Sequence, residues 1–291
     1  MLRVAGRATH FLQDADREAV IAYVRGQRQP DGGFRGRAAG SDLYYTVFGG
    51  SCLLALNRPP WPGPVRRYLE TFGDGANLDF VHLASCARCW AALPLPWTAR
   101  RGRALLPRLE RYRADDGGYD PAAPGGSARG TVYGGFLAFM VYEETGVALP
   151  RPDDLLKNIR ALRTPDGGYA NAPGVAGATT TATAAAILLQ HWLAETADPA
   201  ATAALQGCTC AAGGYRASPG TPGPDLLSTA TALYALQVAG ANPASEAATR
   251  HLDFVEALWD KSGGFCGHAA DPLPDCEYTF YALLTLGACQ R

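Results

Sequence analysis

The sequence predicts an all-α fold, an (α/α)6 toroid with six inner and six outer helices around an apolar central cavity. Three observations lead there. A Gly-Gly-aromatic turn recurs about every 50 residues, at Gly32-Gly33-Phe34, Gly117-Gly118-Tyr119, Gly167-Gly168-Tyr169, Gly213-Gly214-Tyr215 and Gly263-Gly264-Phe265, which is the signature of a repeat architecture. The one double-length gap, between Gly33 and Gly118, holds a degenerate copy at Phe72-Gly73-Asp74-Gly75, so the units number six. Each turn follows a charged segment with apolar residues at helical spacing and precedes a segment that is apolar nearly all round. One helix of each unit is therefore half exposed and the other is buried on both sides.

The amphipathic segments, such as Arg17–Gln29, Arg100–Arg113 and Glu246–Lys261, supply the outer layer. Gly-Gly is expected to end each of them, because glycine accepts the left-handed conformation that closes a helix. The inner segments, such as Leu43–Leu56 and Tyr278–Cys289, start at comparable points: Asp42, Asp79, Gly130, Thr179, Asp225 and Asp275. Four of these six are aspartates, good N-caps. An open solenoid needs polar caps at its ends, and the terminal units here look like the rest. Unit six is therefore expected to pack against unit one, closing residues 1–291 into a single domain.

Composition narrows the function. Hydrophobic residues are 47% and charged residues only 18% of the chain, which excludes a disordered protein. The 34 glycines and 21 prolines fit many turns. A net charge of −1 offers no field for nucleic acid or an anionic membrane. No apolar run approaches a membrane span. The opening Met1–Arg7 lacks an apolar signal core, so the expected compartment is cytoplasmic. The eight cysteines then read as free thiols, and Cys86-x-x-Cys89 as core of an apolar helix.

Six Gly-Gly-aromatic helical hairpins resemble the repeat superfamily of prenyltransferases and squalene cyclases. Two stretches carry the resemblance in detail. Leu273-Pro274-Asp275-Cys276-Glu277-Tyr278-Thr279 resembles the zinc-ligand unit of protein prenyltransferase β-subunits, and Asp42-Leu43-Tyr44-Tyr45-Thr46-Val47-Phe48-Gly49 resembles that family's following unit. The family's Asp, Cys and His ligands fall on Asp275, Glu277 and Tyr45. Zinc prefers sulfur and imidazole donors, so no metal ligand and no cofactor is assigned. A diphosphate substrate would bring magnesium with it. The same stretch resembles the Asp-x-Asp-Asp-Thr motif of class II terpene cyclases, whose middle carboxyl protonates an alkene or epoxide. Here the motif reads Asp-x-Glu-Tyr-Thr, and the resemblance puts Glu277 in the donor's place.

The residues support that role on their own terms. Alkene protonation needs a carboxylic acid still protonated near neutral pH, which burial beside another carboxylate can provide. Capping accounts for Asp275, expected as the ionised, structural member of the pair. It does not account for Glu277, because the corresponding residues elsewhere are Tyr44, Val81, Val132, Thr181 and Leu227. The expected catalytic set is Glu277, Asp275 and Tyr45. Aromatics at the inner-helix starts, Tyr44, Phe80, Tyr133, Tyr278 and Tyr281, either pack the core or line a cavity where ring faces steady a carbocation. Asp42 and His82 join them; for His82 a first-turn hydrogen bond competes with a ligand role. Arg35, Arg216 and His268 follow the turns and would ring the mouth to hold a diphosphate, or are simply solvated. The function expected is acid-initiated cyclisation or isomerisation of a polyprenyl substrate, an isoprenoid or its diphosphate, reached at a membrane surface if the lipid resides there. The rivals are a prenyltransferase β-subunit-like protein with an altered zinc site and a partner subunit, a glycosidase using paired carboxylates, and a non-catalytic isoprenoid-binding ring.

Overall fold

The computed structural model describes residues 1–60, 62–94, 98–193 and 198–290. Its inner layer consists of α3 (Leu43–Ala55), α5 (Phe80–Ala92), α8 (Val132–Thr145), α10 (Thr180–Trp192), α12 (Leu226–Val238) and α14 (Cys276–Cys289). Each packs on the next, and α14 packs on α3, so the ring is closed as expected. The outer layer is α2 (Asp14–Gly26), α4 (Pro62–Glu70), the pair α6 (Thr98–Arg103) and α7 (Leu106–Leu109), α9 (Pro152–Ala161), α11 (Pro199–Gly207) and α13 (Ser245–Glu256).

Every inner helix starts on a side-chain cap. Asp42, Asp79, Thr131, Thr179, Asp225 and Asp275 each accept a backbone N–H from the first turn, satisfying donors the helix itself cannot. In unit three the cap is Thr131, one residue beyond the Gly130 expected from the repeat. A threonine four residues after the cap then ties the turn to the helix. The Oγ1 atoms of Thr46, Thr183, Thr229 and Thr279 accept the buried N–H groups of Phe34, Tyr169, Tyr215 and Phe265.

The Gly-Gly pairs do not end the outer helices. α2 stops at Gly26 and α13 at Glu256, and the turn lies several residues further on, braced by bridges such as Arg28 with Phe34. Gly-Gly is required instead by close approach. Gly263, at φ 95°, lies so near α2 that a Cβ would sit 2.4 Å from the Ala19 carbonyl oxygen. Only glycine fits such a conformation and such a contact, and here the contact joins unit six to unit one. Unit three departs most from the repeat. Its outer layer breaks into α6, α7 and a 3-10 turn, and Arg113 and Glu110 tie the phenols of Tyr119 and Tyr142 together in its place.

An additional short helix, α1 (Leu2–Gly6), lies on the C-terminal ends of α3 and α14. Gly287 permits this, since a Cβ there would meet the Val4 carbonyl oxygen at 1.8 Å. The toroid thus has two unlike ends: the capped starts of the six inner helices above, and their C-termini with α1 below. No helix among the described residues is long and apolar enough to cross a membrane.

Candidate active site

The capping pattern sorts the first inner turn by direction. The residue after each cap is buried in the wall, and the one after that is only partly covered: Tyr44, Val81, Tyr133, Thr181, Leu227 and Glu277. The Thr131 cap thus puts Tyr133 where the repeat spacing suggested Val132. Glu277 is the one carboxylate in this ring.

Its carboxyl is held across the closure between units six and one. The Tyr44 hydroxyl donates to Glu277 Oε1 at 2.6 Å, leaving Oε2 without a hydrogen bond among the described residues. Burial pushes the Glu277 pKa up to about 7, with the nearby Asp275 charge adding to it against the Tyr44 hydrogen bond. Burial also raises the Tyr44 phenol, so that it remains a donor. Tyr44 and Tyr281 line a cavity of about 900 Å³ with Phe48, Tyr133, Phe136 and Phe280. Tyr44 stands edge-on to Phe48 at 4.9 Å, and Phe48 meets Tyr281 at 5.5 Å. Tyr133, 39% exposed, is the most open of these rings.

Asp275 is 3% exposed and is engaged on both oxygens. Oδ1 accepts the Tyr278 N–H at 2.8 Å and Oδ2 accepts from Arg37 Nε at 3.0 Å. Burial raises its pKa, while Tyr278 N–H and Arg37 pull it down. Arg37, from the loop after the first turn, also pairs with Asp271 at 2.6 Å and lies over the Tyr278 ring. It links unit one to unit six within electrostatic reach of Glu277, a partner the repeat pattern does not reveal.

The other expected site residues divide. Tyr45 does not reach Glu277 by a hydrogen bond. It is the third residue after its cap and packs on Gly36, as Tyr278 packs on Gly267, so both cover the rim and neither lines the cavity. Phe80 follows its cap directly and is 0% exposed between Tyr112 and Tyr119; it is wall, not lining. His82 Nδ1 meets Asp79 at 2.8 Å and Nε2 meets Asp42 at 3.2 Å. Burial lowers its pKa, but the two carboxylates outweigh that and raise it. His82 and Asp42 thus form a bridge between units one and two. Arg35 turns to Gln27 and Arg216 to the Thr209 carbonyl, both away from the cavity. His268 accepts the Ala270 N–H within its own exposed loop. The mouth is not ringed by free cations from these three residues.

The zinc positions do not fit a metal. Asp275 Oδ2 is taken by a guanidinium, Glu277 Oε1 by a phenol, and Tyr45 lies apart; a site for zinc needs several free, converging donors. Among the described residues no three His, Cys, Asp or Glu side chains converge on a metal site, and Cys86 and Cys89 are buried in the wall.

The sequence model of the prenyltransferase α/α-toroid domain matches residues 2–204 and again 190–291, and the chain belongs to that family. Among solved structures it is similar to the type II terpene cyclase MstE from Scytonema without ligand, at 13% identity over 94% of this chain and 96% of that chain, with a TM-score of 0.65. A variant of MstE in complex with its substrate, geranylgeranyl dihydroxybenzoate, gives 13% identity, 98% and 97% coverage and a TM-score of 0.66. A glycosidase in complex with glucose gives 15% identity, 95% and 99% coverage and a TM-score of 0.55. At these identities the likeness is one of fold. No curated protein matches the chain.

Proposed function

We propose that the protein is a class II-type terpene cyclase, an enzyme that protonates an isoprenoid chain at an alkene and so starts its cyclisation or isomerisation. One observation carries the reading: a carboxyl whose pKa is raised to about 7, Glu277, accepts a hydrogen bond from Tyr44, which itself lines the aromatic cavity at its upper end. The MstE variant of similar fold is in complex with a prenylated substrate, geranylgeranyl dihydroxybenzoate, which supports the substrate class.

The chemistry follows from the residues. With Oε1 accepting from Tyr44, the acidic proton of Glu277 sits on Oε2 and is delivered to one alkene carbon. The adjacent carbon becomes cationic, and the electron pair of the next alkene attacks it to close a ring. Loss of a proton to water or to the glutamate ends the sequence, so the reaction is redox-neutral and consumes no co-reactant. Tyr44 steadies the carboxylate left behind. The ring faces of Phe48, Tyr133, Phe136 and Tyr281 stabilise the moving cation by about 0.5–2 kcal/mol each, and the apolar wall keeps water from quenching it early. Thiol prenylation is disfavoured because the donor set does not suit zinc.

The test is to incubate the protein with prenyl substrates of graded length in deuterium oxide. Acid-initiated cyclisation puts one solvent deuterium on the carbon that was protonated, and Glu277→Gln abolishes the product. A cyclised or isomerised product without deuterium, or release of sugar from a glycoside instead, would overturn the reading.

A further inference from the structure

The two ends of the cavity differ in charge. The upper rim is crowded with carboxylates: Asp42, Asp79, Asp225 and Asp275 cap the inner helices, and Glu277 lies among them. The lower end is lined by Arg3, Arg7, Arg88, Glu144, Tyr234 and Gln237. Arg88 and Glu144 neutralise one another through two hydrogen bonds of 2.9 Å. Arg3 and Arg7, on and just after α1, make no ion pair with a described residue, and the Gln237 side-chain amide makes no hydrogen bond with one. Gln237 Oε1 is buried without a partner.

An otherwise apolar cavity that ends in two uncommitted guanidinium groups and an unpaired amide is suited to an amphiphile. The C-terminal carbonyls of the inner helices oppose an anion here, but that effect falls off within the last helical turn and is screened by solvent, whereas Arg3 and Arg7 offer charged donors that can contact the anion directly. At the rim the cations Arg37 and His82 are already engaged by Asp271, Asp275, Asp79 and Asp42, so they are not available to an anion as Arg3 and Arg7 are. An anionic group is therefore favoured at the floor, not at the mouth.

We infer that the lower end of the cavity is a head-group site. It takes the anionic head of a prenyl substrate, a carboxylate or a diphosphate, and sends the chain up toward Glu277. The inference deepens the cyclase reading and rests on it for the nature of the chain. Length agrees: from Tyr133 to Glu144, α8 rises about 16 Å, which matches three extended isoprene units at roughly 5 Å each. The orientation then selects the distal alkene for protonation, because the alkene nearest the head is held at the opposite end from the acid.

The test uses Glu277→Gln protein, which holds ligand without turning it over, and three matched C15 ligands: the prenyl carboxylate, the prenyl diphosphate with magnesium present, and the neutral prenyl alcohol. Calorimetry should show one or both anions binding about tenfold or more tighter than the alcohol, with a preference that weakens as salt is added. Which anion gains identifies the head group. Adding Arg3→Gln and Arg7→Gln, exposed positions that should not disturb folding, should remove the preference and leave alcohol binding unchanged. If the alcohol binds as tightly as both anions, or if the arginine variants keep the preference, the head-group site is wrong while the prenyl-chain reading stands. If none of the three ligands binds, both fall.

Discussion

In unit five Asp225 caps α12, the Thr229 hydroxyl donates to the Asp225 carbonyl at 2.6 Å, and the same hydroxyl accepts the Tyr215 N–H at 2.9 Å. In unit six Asp275, Thr279 and Phe265 repeat this arrangement with distances of 2.6 and 3.2 Å. The two units differ at the second residue after the cap, the partly covered position that lines the cavity in units one and three as Tyr44 and Tyr133. Unit five has Leu227 there and unit six has Glu277. Of the motif-like string Asp-x-Glu-Tyr-Thr, the Asp and the Thr are therefore repeat scaffolding, present in units one and five as well. The tyrosine is rim packing on Gly267. The glutamate alone is peculiar to its unit. Asp275 adds one feature that Asp225 lacks, the Arg37 clamp from unit one, which places the special carboxyl at the seam where the ring closes.

The widest separation between the two units should be in turnover. Glu277→Gln should lower kcat by at least about 10²-fold, the usual contribution of a positioned general acid, while Leu227→Gln should change it only a few-fold. Steady-state kinetics on the two variants decides this, and equal losses would mean that polarity in the ring matters and the acid does not.

The caps should differ less. Asp225→Ala should cost about 1 kcal/mol in urea unfolding, the usual price of a lost N-cap. Asp275→Ala should cost about 3 kcal/mol, because Arg37 loses its buried carboxylate as well. Similar costs would show that the Arg37 clamp adds nothing.

Replacing the threonines should not separate the units at all. Thr229→Val and Thr279→Val each leave a buried turn N–H without an acceptor, and each should cost about 1–2 kcal/mol by the same measurement. A Thr279 variant that instead lost activity while keeping its stability would make that residue part of the chemistry.

This division explains what could be read from the sequence. The six-fold ring was legible because glycine pairs and caps repeat for backbone reasons that hold in every unit. Closure could be inferred from the resemblance of units one and six to the others, and Gly263 against α2 is its physical expression. The role of Gly-Gly was misjudged, since spacing alone cannot separate a helix stop from a close approach to the next outer helix. Phe80 was misplaced for a related reason: composition marks an aromatic near a helix start, but only the cap fixes which residue faces inward. Tyr133 was named as a lining aromatic and does line the cavity; counting from Thr131 instead of Gly130 gives it, and not Val132, the ring position that Glu277 holds in unit six. Arg37 and α1 were not legible, because both act across the seam between chain regions far apart in sequence, and no repeat partner exists for comparison.

The proposed chemistry turns on Glu277 as an acid poised near neutrality. Its folded pKa is raised from 4.5 to about 7. The stability it lends is then fully present below about pH 4.5 and lost as the pH rises through about 7, so the wild type should lose about 2 kcal/mol relative to Glu277→Gln between pH 5 and pH 8. The most direct measurement is titration of the carboxyl itself, followed by the carboxylate infrared band that is present in the wild type and missing in Glu277→Gln. The midpoint should lie near pH 7 and move higher in Tyr44→Phe, where the carboxylate loses its donor. A midpoint near 4.5, unmoved by Tyr44→Phe, would contradict it.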